Sequence, residues 1–359
     1  MGLRVNELLQ LMIKAGISDI HFKVGSPPLI RVNGSLTPTE FEPFTPAAIE
    51  ELAFSLMNET QKAKFTEEHE LDMSYAVDGL SRFRVNVYRQ KGTVALTLRV
   101  VPLKIKTIEE LNLPGEVLIK LAAESRGLVL VTGITGSGKT TTLNAMINHI
   151  NETSNVHIVT VEDPIEYYHT DKKSSIVQRE VGPDTRSFQS ALKYVLRQDP
   201  DVVVIGEMRD HEAIAAALTA AETGHLVLGT LHTMDAVQTI DRIVDSYPPH
   251  QQSQIRMQIG NVLKGVVAQR LISTADNTAR LPATEILVGS SLVRKLVAEG
   301  KTLELYRAME QGEYYKMHTF DQDLVRLVQE NKITMEEALD NATNPEDLTL
   351  KARGIGSLR

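Results

Sequence analysis

The segment from Gly133 to Thr140 has the residue types and spacing of a phosphate-binding loop, or P-loop. Gly133 and Gly138 are separated by four residues and are followed by Lys139 and Thr140. Glycines let backbone N–H groups close around phosphate oxygens, while the lysine reaches the β- and γ-phosphates and the hydroxyl binds Mg²⁺. A chance match in a chain of this length is on the order of one in a hundred. The nucleotide site predicted in this way comprises Gly133, Thr135, Gly136, Ser137, Gly138, Lys139, Thr140 and Thr141.

Two further segments supply carboxylates. A P-loop site needs an acid at a strand end for the magnesium shell and another group to orient the attacking water. Glu207 follows an apolar run, and Gly206 makes room for this glutamate where most P-loop proteins have an aspartate directly after the strand. Glu162 also ends an apolar run, at the strand edge where ligands of open α/β sheets collect. Acidic residues before a proline are also common turn formers, so Glu162 has a purely structural alternative.

Two histidines, His225 and His232, bracket the apolar run Leu226 to Leu231. Zinc is disfavoured, because the chain has no cysteine and no carboxylate cluster near these residues. A hydrogen-bonding role is expected instead, in which His232 at the strand end senses the γ-phosphate or its absence, and a purely structural role is the open alternative for each histidine. His225 is equally consistent with a loop-capping residue.

Arg82 and Arg84 belong to a run, Ser81 to Lys91, that contains four cations and no acid. A solvated strand face is the ordinary interpretation of such a run. Guanidinium groups held rigidly on a strand also suit bidentate binding of phosphate, and an arginine finger from a neighbouring subunit commonly completes a P-loop site. The second interpretation requires a ring of subunits.

The elements that must position these side chains alternate between short apolar runs and helical patterns. The predicted buried strands are Leu128 to Val131, Val156 to Val161, Val202 to Ile205 and Leu226 to Leu231. The predicted helices between them centre on Leu143 to Ile150, Phe188 to Val195 and Ala213 to Ala221. Strands that alternate with helices predict a mainly parallel sheet covered on both faces.

The regions on either side of this pattern have a different character. Helical spacing predicts a first helix from Val5, Leu8, Leu9, Met12 and Ile13, and another from Leu52, Leu56 and Met57. Alternation over residues 83–88 and 93–100 predicts two half-buried strands, and its end at Val101-Pro102 places a domain boundary near residue 105. After Pro282 we expect mostly short helices, around Val293, Leu324 and Ala338, and a mobile tail around Gly354 and Gly356.

Composition excludes several classes of protein. The chain of 359 residues is long enough for about two domains. Its formal charge of −8 disfavours a nucleic-acid-coating surface. The absence of cysteine excludes disulfides, thiolate metal sites and iron–sulfur clusters, and favours a reducing compartment. No apolar stretch is long enough for a membrane span or a secretory signal, so we expect a cytoplasmic protein without direct membrane insertion.

Taken together, the motifs identify a family resemblance. The P-loop, the Val161-Glu162-Asp163-Pro164 segment, the Gly206 to Asp210 strand end and the Thr223 to Thr233 segment resemble the Walker A, Asp box, Walker B and His box of the secretion ATPases of type II secretion and type IV pilus systems. Within that superfamily the chain resembles the pilus retraction ATPases over nearly its full length. The N-terminal segments Ser18 to His21, Pro27-Pro28 and Ser81 to Asn86 contribute to this resemblance.

The resemblance implies an α/β architecture: a PAS-like α+β domain over residues 1–104, then a RecA-like P-loop ATPase domain with a helical C-terminal portion over residues 105–359. It also implies a homohexamer that binds ATP and Mg²⁺ between subunits and passes domain rotation to an inner-membrane platform protein of the pilus. Such a protein is peripheral at the cytoplasmic face of the inner membrane.

By the same resemblance, the site residues acquire roles. Glu162 corresponds to the water-polarising base, Glu207 to the Walker B acid near Mg²⁺, and His232 to a residue near the γ-phosphate. Arg82 and Arg84 correspond to phosphate-facing arginines. Extension ATPases of the superfamily usually carry a longer N-terminal region and a four-cysteine zinc site, which favours retraction here. A pilus assembly or type II secretion ATPase, and a ring regulator that binds nucleotide without turnover, remain alternatives.

Overall fold

The computed structural model describes residues 9, 10, 12, 13, 15, 17–32, 35–77, 81–101 and 104–352. The chain divides into two compact units, residues 1–104 and 105–359. The predicted α/β class is confirmed: the first unit is built on an antiparallel sheet and the second on a largely parallel one.

The N-terminal unit contains a six-stranded sheet and, among its fully described elements, two helices. Its strands are β1 (Asp19–Phe22), β2 (Leu29–Val32), β3 (Ser35–Pro38), β4 (Glu70–Val77), β5 (Ser81–Gln90) and β6 (Thr93–Val101), in the spatial order β3-β2-β1-β6-β5-β4. Its helices are α1 (Pro46–Ser55) and α2 (Glu59–Glu68), capped by the side chains of Thr45 and Asn58. Alternation along β5 buries Phe83, Val85 and Val87 in the core and turns the arginines to the other face.

The helix predicted near the N-terminus is only partly described. Val5 and Leu8 lie outside the described residues, whereas Leu9, Met12 and Ile13 are helical, and Leu9 and Met12 are buried in the core of the N-terminal unit. The two strands predicted over residues 83–88 and 93–100 are confirmed as the hairpin of β5 and β6.

The C-terminal unit is built around a seven-stranded sheet. Its strands are β7 (Gly127–Thr132), β8 (His157–Glu162), β9 (Ser175–Glu180), β10 (Val202–Ile205), β11 (Leu226–Leu231), β12 (Leu263–Ser273) and β13 (Arg280–Val288), in the order β13-β12-β7-β11-β10-β8-β9. All neighbours are parallel except β12 and β13. The predicted parallel sheet is therefore confirmed, with an antiparallel hairpin added at one edge.

Helices cover both faces of this sheet. They are α3 (Gly115–Ala122), α4 (Lys139–Thr153), α5 (Phe188–Val195), α6 (His211–Glu222), α7 (Ala236–Asp245), α8 (Pro249–Val262), α9 (Ser291–Ala298), α10 (Glu304–Glu310), α11 (Phe320–Gln329), α12 (Met335–Asn341) and α13 (Pro345–Ala352), with a 3₁₀ turn at Glu313–Tyr315. Helices α3 and α4 pack on one face, and α5 to α10 on the other. Helices α11 to α13 form a smaller core with β12 and β13.

The expectation of mostly helical structure after Pro282 is wrong for its first residues. Pro282 lies within β13 and pairs with Leu271. A proline is tolerated there because β13 is an edge strand, where one side of the backbone needs no ladder hydrogen bond. The helices predicted around Val293, Leu324 and Ala338 are confirmed, and the tail around Gly354 and Gly356 lies outside the described residues.

Among the described residues, no helix is both long enough and apolar enough to traverse a lipid bilayer.

Candidate functional site

The P-loop connects β7 to α4. Gly138 is the N-terminal cap of α4 and has a φ of 90°, in the left-handed region that favours glycine. A side chain at Gly133 would collide with the Gln269 carbonyl and the Ser137 hydroxyl. The loop therefore packs tightly against β12, and close approach as well as backbone conformation requires glycine at Gly133 and Gly138.

Lys139 folds back over this loop. Its Nζ donates hydrogen bonds of 2.9 Å to the carbonyl oxygens of Gly133 and Ile134. Burial lowers the pKa of Lys139, while the charges of Glu207 and Glu166 oppose that effect. The ammonium group is thus held at the mouth of the loop, beside the backbone amides that would surround a phosphate.

Several other residues in and after the loop bear on ligand binding. The Ser137 hydroxyl is buried and has no hydrogen-bond partner among the described residues. Thr140 and Thr141 lie in the first turn of α4, whose dipole favours an anion, and Thr141 Oγ1 is 3.1 Å from the Tyr167 hydroxyl. Thr135 and Gly136 are exposed at the tip of the loop. The donor set and the buried, unpaired hydroxyl fit a polyphosphate.

Glu162 ends β8 and is buried, with 6% of its surface exposed. Its Oε1 accepts hydrogen bonds from Thr160 Oγ1 at 2.7 Å and from Gln178 Nε2 at 3.2 Å. Burial raises the pKa of Glu162 to about 7, although these two hydrogen bonds favour the ionised form. A carboxyl group that titrates near neutrality suits general-base chemistry.

Glu207 follows β10, the parallel neighbour of β8. A Cβ atom added at Gly206 would lie 3.2 Å from the Glu162 Cα, so the backbone at Gly206 packs directly against Glu162. Glu207 Oε2 pairs with Arg209 Nη2 at 2.8 Å, and Oε1 lies 3.0 Å from His232 Nε2. The sheet therefore brings both predicted carboxylates and His232 to the carboxyl ends of its parallel strands, beside the P-loop.

His225 lies at the opposite end of β11 from His232. Its Nδ1 is 3.0 Å from the Ala220 carbonyl oxygen and 3.1 Å from Thr223 Oγ1, at the C-terminus of α6. Of the two open interpretations, the structure favours the loop-capping one for His225.

Arg82 and Arg84 belong to the N-terminal unit. Both side chains lie on the polar face of β5, where Arg84 is opposite Arg99 of β6, and Arg82 is exposed. The structure therefore groups these arginines with each other, while the P-loop, Glu162, Glu207 and His232 are grouped in the C-terminal unit.

Comparisons with known proteins show which family the chain belongs to. The family model described as "Type II/IV secretion system protein" matches residues 3–354. The chain belongs to this family. The type IV pilus retraction ATPase PilT of Pseudomonas aeruginosa is 43% identical over 343 residues, which cover 96% of this chain and 99% of PilT. The type IV pilus ATPase PilU of the same organism is 42% identical over 351 residues, or 98% of this chain and 91% of PilU.

A solved structure extends the similarity to three dimensions. The crystal structure of the pilus retraction motor PilT with bound ADP superimposes with a TM-score of 0.91 at 43% identity, covering 97% of this chain and 99% of that one. This chain therefore shares the two-unit architecture of a relative whose structure has been solved with a bound nucleotide.

The residues of this family member also fit a magnesium nucleotide. Thr140 supplies a hydroxyl and Glu207 a carboxylate, and among the described residues no group of three or more His, Asp or Glu side chains forms a metal cluster. Mg²⁺ in nucleotide sites is usually held by one or two protein groups together with substrate phosphates and water. The Thr140 hydroxyl and the Glu207 carboxylate are two protein groups of this kind.

Sequence reasoning missed Gln269, which lies on β12. Its Nε2 donates to the Ser137 carbonyl at 2.8 Å, and its Oε1 accepts from Thr142 Oγ1 at 2.7 Å. This buried amide therefore ties the P-loop and the start of α4 to the neighbouring strand. The only local signal is a polar residue within the apolar run from Val266, and this signal identifies no hydrogen-bond partner.

Proposed function

We propose that the chain is a Mg²⁺-dependent ATPase that powers type IV pilus retraction, and hence twitching motility. The observation that carries the enzymatic part is the convergence of Glu162 and Glu207 at the ends of neighbouring strands, beside the P-loop. The retraction part is supported by the 43% identity to the retraction ATPase PilT over almost the whole of both chains.

In this proposal the P-loop amides and Lys139 bind the β- and γ-phosphates. Thr140 and Glu207 would hold Mg²⁺, which, when bound, supplies positive charge to the phosphate oxygens. Glu162 orients the attacking water and accepts its proton, since a pKa of about 7 leaves it substantially ionised near neutral pH. His232 fixes the Glu207 carboxylate and lies at the strand end that faces the γ-phosphate.

The quaternary part of the proposal is a homohexamer with ATP between subunits. Arg82 and Arg84 lie together on a rigid strand, as expected of groups that stabilise phosphate charge on a neighbouring subunit. Hydrolysis would rotate the PAS-like unit of residues 1–104 relative to the RecA-like unit of residues 105–359. An inner-membrane platform protein would receive this motion at the cytoplasmic face of the membrane.

A second candidate is a type IV pilus ATPase whose action is not retraction. PilU, at 42% identity, is described only as a type IV pilus ATPase, so this relative supports the pilus ATPase class without specifying retraction. Pilus assembly is the alternative action that a cellular experiment separates most clearly.

The test combines chemistry and phenotype. Purified protein should release phosphate from ATP, and Lys139→Ala or Glu207→Ala should lower the rate at least about 10²-fold. A chain that releases no phosphate under any condition is not a motor. In cells with intact pili, the Lys139→Ala variant should leave pili present but unable to pull, whereas loss of pili would assign the chain to assembly.

A further inference from the structure

The Glu162 carboxyl is oriented by two strands at once. Thr160 Oγ1 and Gln178 Nε2 donate to the same oxygen, Oε1, at 2.7 Å and 3.2 Å. Thr160 of β8 and Gln178 of β9 are direct partners in the parallel register, so both side chains extend from the same face of the sheet. The rotation of the carboxyl group is thus set from its own strand and from the edge strand.

The Gln178 amide is itself locked. Its Nε2 also donates to the Tyr167 carbonyl at 2.8 Å, and its Oε1 accepts from the His169 backbone N–H at 2.8 Å. A flipped amide would face two oxygens with its carbonyl and an N–H with its NH₂ group, so only one orientation satisfies every contact.

Gln178 holds the segment between β8 and β9 through Tyr167 and His169. This segment is anchored on α4, the helix that follows the P-loop. His169 Nε2 is 2.7 Å from Asn144 Oδ1, and Asn144 Nδ2 donates to the Thr140 carbonyl at 2.8 Å. The Tyr167 hydroxyl is 3.1 Å from Thr141 Oγ1. A continuous hydrogen-bonded path therefore joins the first turn of α4 to the Glu162 carboxyl, and Gln178 is its last member.

We propose that Gln178 is a positioning residue, which fixes the orientation of the Glu162 carboxyl and connects it to the phosphate-binding end of α4. This inference rests on the proposed role of Glu162 as the base in ATP hydrolysis. A shift of the first turn of α4 on nucleotide binding or release would reach Glu162 through Gln178.

Loss of the Gln178 hydrogen bond should shift the pKa of Glu162 in a definite direction. The ionisable groups on the elements around Glu162 include Lys139 on α4, Asp163, Glu166, Tyr167 and His169 on the segment after β8, Arg179 and Glu180 on β9, and Glu207 after β10. Burial raises the pKa of Glu162, the charge of Glu166 adds to that effect, and the Gln178 hydrogen bond opposes both. Removal of this donor should therefore raise the pKa of Glu162 further and leave less of it ionised at neutral pH.

The experiment compares Gln178→Glu and Gln178→Met with the unmodified full-length protein. kcat and KM for ATP are measured from about pH 5 to about pH 9. The fall of kcat on the acid side of the pH profile is called the acidic limb. In Gln178→Met the midpoint of this limb should move up by about half a pH unit to one pH unit, because one hydrogen-bond donor to Glu162 is lost. In Gln178→Glu, which is nearly isosteric, the shift should be larger because a like charge is added. KM for ATP should stay within about twofold in both.

A matched control separates positioning from folding. Asn151 anchors the same segment elsewhere, since its Nδ2 donates to the Thr170 carbonyl at 2.9 Å and its Oδ1 accepts from the Lys172 N–H at 3.0 Å. Asn151→Ala should leave the acidic limb where it is. If both Gln178 variants lose activity evenly at every pH, or only as Asn151→Ala does, Gln178 is merely structural and the proposal is overturned.

The failure of the underlying function has a different signature. If Glu162→Gln hydrolyses ATP at the full rate, Glu162 is not the base, and this inference is overturned together with that assignment. If Glu162→Gln is inactive while neither Gln178 variant moves the acidic limb, the assignment of the base stands and only the role of Gln178 is lost.

Discussion

Glu207 Oε1 lies 3.0 Å from His232 Nε2, while the other oxygen of the same carboxyl lies 2.8 Å from Arg209 Nη2. The first contact joins the turn after β10 to the end of its parallel neighbour β11. Burial opposes ionisation of Glu207, but Arg209, His232 and Lys139 outweigh it and keep the pKa of Glu207 below its usual value. Glu207 is therefore a carboxylate at neutral pH, with its orientation set by two side chains.

The first prediction concerns His232. His232→Ala should lower kcat for ATP roughly ten- to a hundredfold, because a hydrogen bond to a charged group is lost while nucleotide binding keeps its own contacts. His232→Gln retains an N–H donor and should lose less. Steady-state hydrolysis and a separate nucleotide titration check both expectations. Equal losses in the two variants would contradict a hydrogen-bonding role.

The second prediction concerns pH and Glu162. Since burial raises the pKa of Glu162 to about 7, activity should fall as pH drops through that value and the base becomes protonated. Glu162→Gln should bind ATP but hydrolyse it about 10²- to 10⁴-fold more slowly. The pH profile of kcat, with nucleotide affinity measured in parallel, provides the check. An acidic limb centred near the ordinary glutamate value would show that Glu162 does not control turnover.

The third prediction concerns stability and Glu285. This carboxyl is buried on β13, with Oε1 accepting from the Ala236 N–H at 2.9 Å, and burial raises its pKa from 4.5 to about 7. The folded state then binds a proton more tightly than the unfolded state. The free energy of unfolding should therefore fall by roughly 3 kcal/mol as pH rises from 4.5 to about 7.

Glu285→Gln does not titrate and should lack that fall. Its Tm should therefore exceed that of the unmodified protein above pH 7, and the advantage should shrink as pH falls towards 4.5. Thermal unfolding across pH measures the effect, with Glu313→Gln, an exposed glutamate of the same unit, as the control. A Tm difference that does not depend on pH would contradict the prediction.

The fourth prediction concerns Gln269. Gln269→Leu leaves the Ser137 carbonyl and the Thr142 hydroxyl without this buried partner. Nucleotide affinity should fall about tenfold and unfolding should cost about 2 to 4 kcal/mol less, because each orphaned group costs about 1 to 2 kcal/mol. Thr142→Val removes only one of the two bonds and should have about half the effect on stability. Titration with a fluorescent nucleotide and denaturant unfolding measure the two quantities.

The fifth prediction concerns Arg82 and Arg84. Substitution of either by alanine should preserve nucleotide binding and slow hydrolysis, by up to ~10³-fold if the residue stabilises the transition state. Arg89→Ala is the matched control, because Arg89 lies on the same strand but stacks over the Phe65 ring, 5.8 Å from its centroid. Unchanged turnover in both arginine variants would assign them to a solvated face.

The local patterns of the sequence were sufficient for most of the framework. Strands β7, β8, β10 and β11 are buried apolar runs, and the glycines of the P-loop have one characteristic spacing, so neither needs a distant partner to be recognised. Strand β13 was missed because Pro282 is an ordinary strand-breaking signal, and only its place at a sheet edge makes it acceptable. Strand β12, which contains an apolar run from Val266, was not predicted either.

By itself, the sequence determined that a P-loop is followed by carboxylates and a histidine at strand ends. Only the tertiary structure decided which side chains orient them. Gln269 hydrogen-bonds to Ser137, which lies 132 positions earlier in the sequence. Gln178 hydrogen-bonds to Glu162 because β9 pairs with β8 in one particular register. The physical reason is that hydrogen-bond partners within a sheet depend on strand order and register, which arise from long-range packing and leave no periodic trace in the chain.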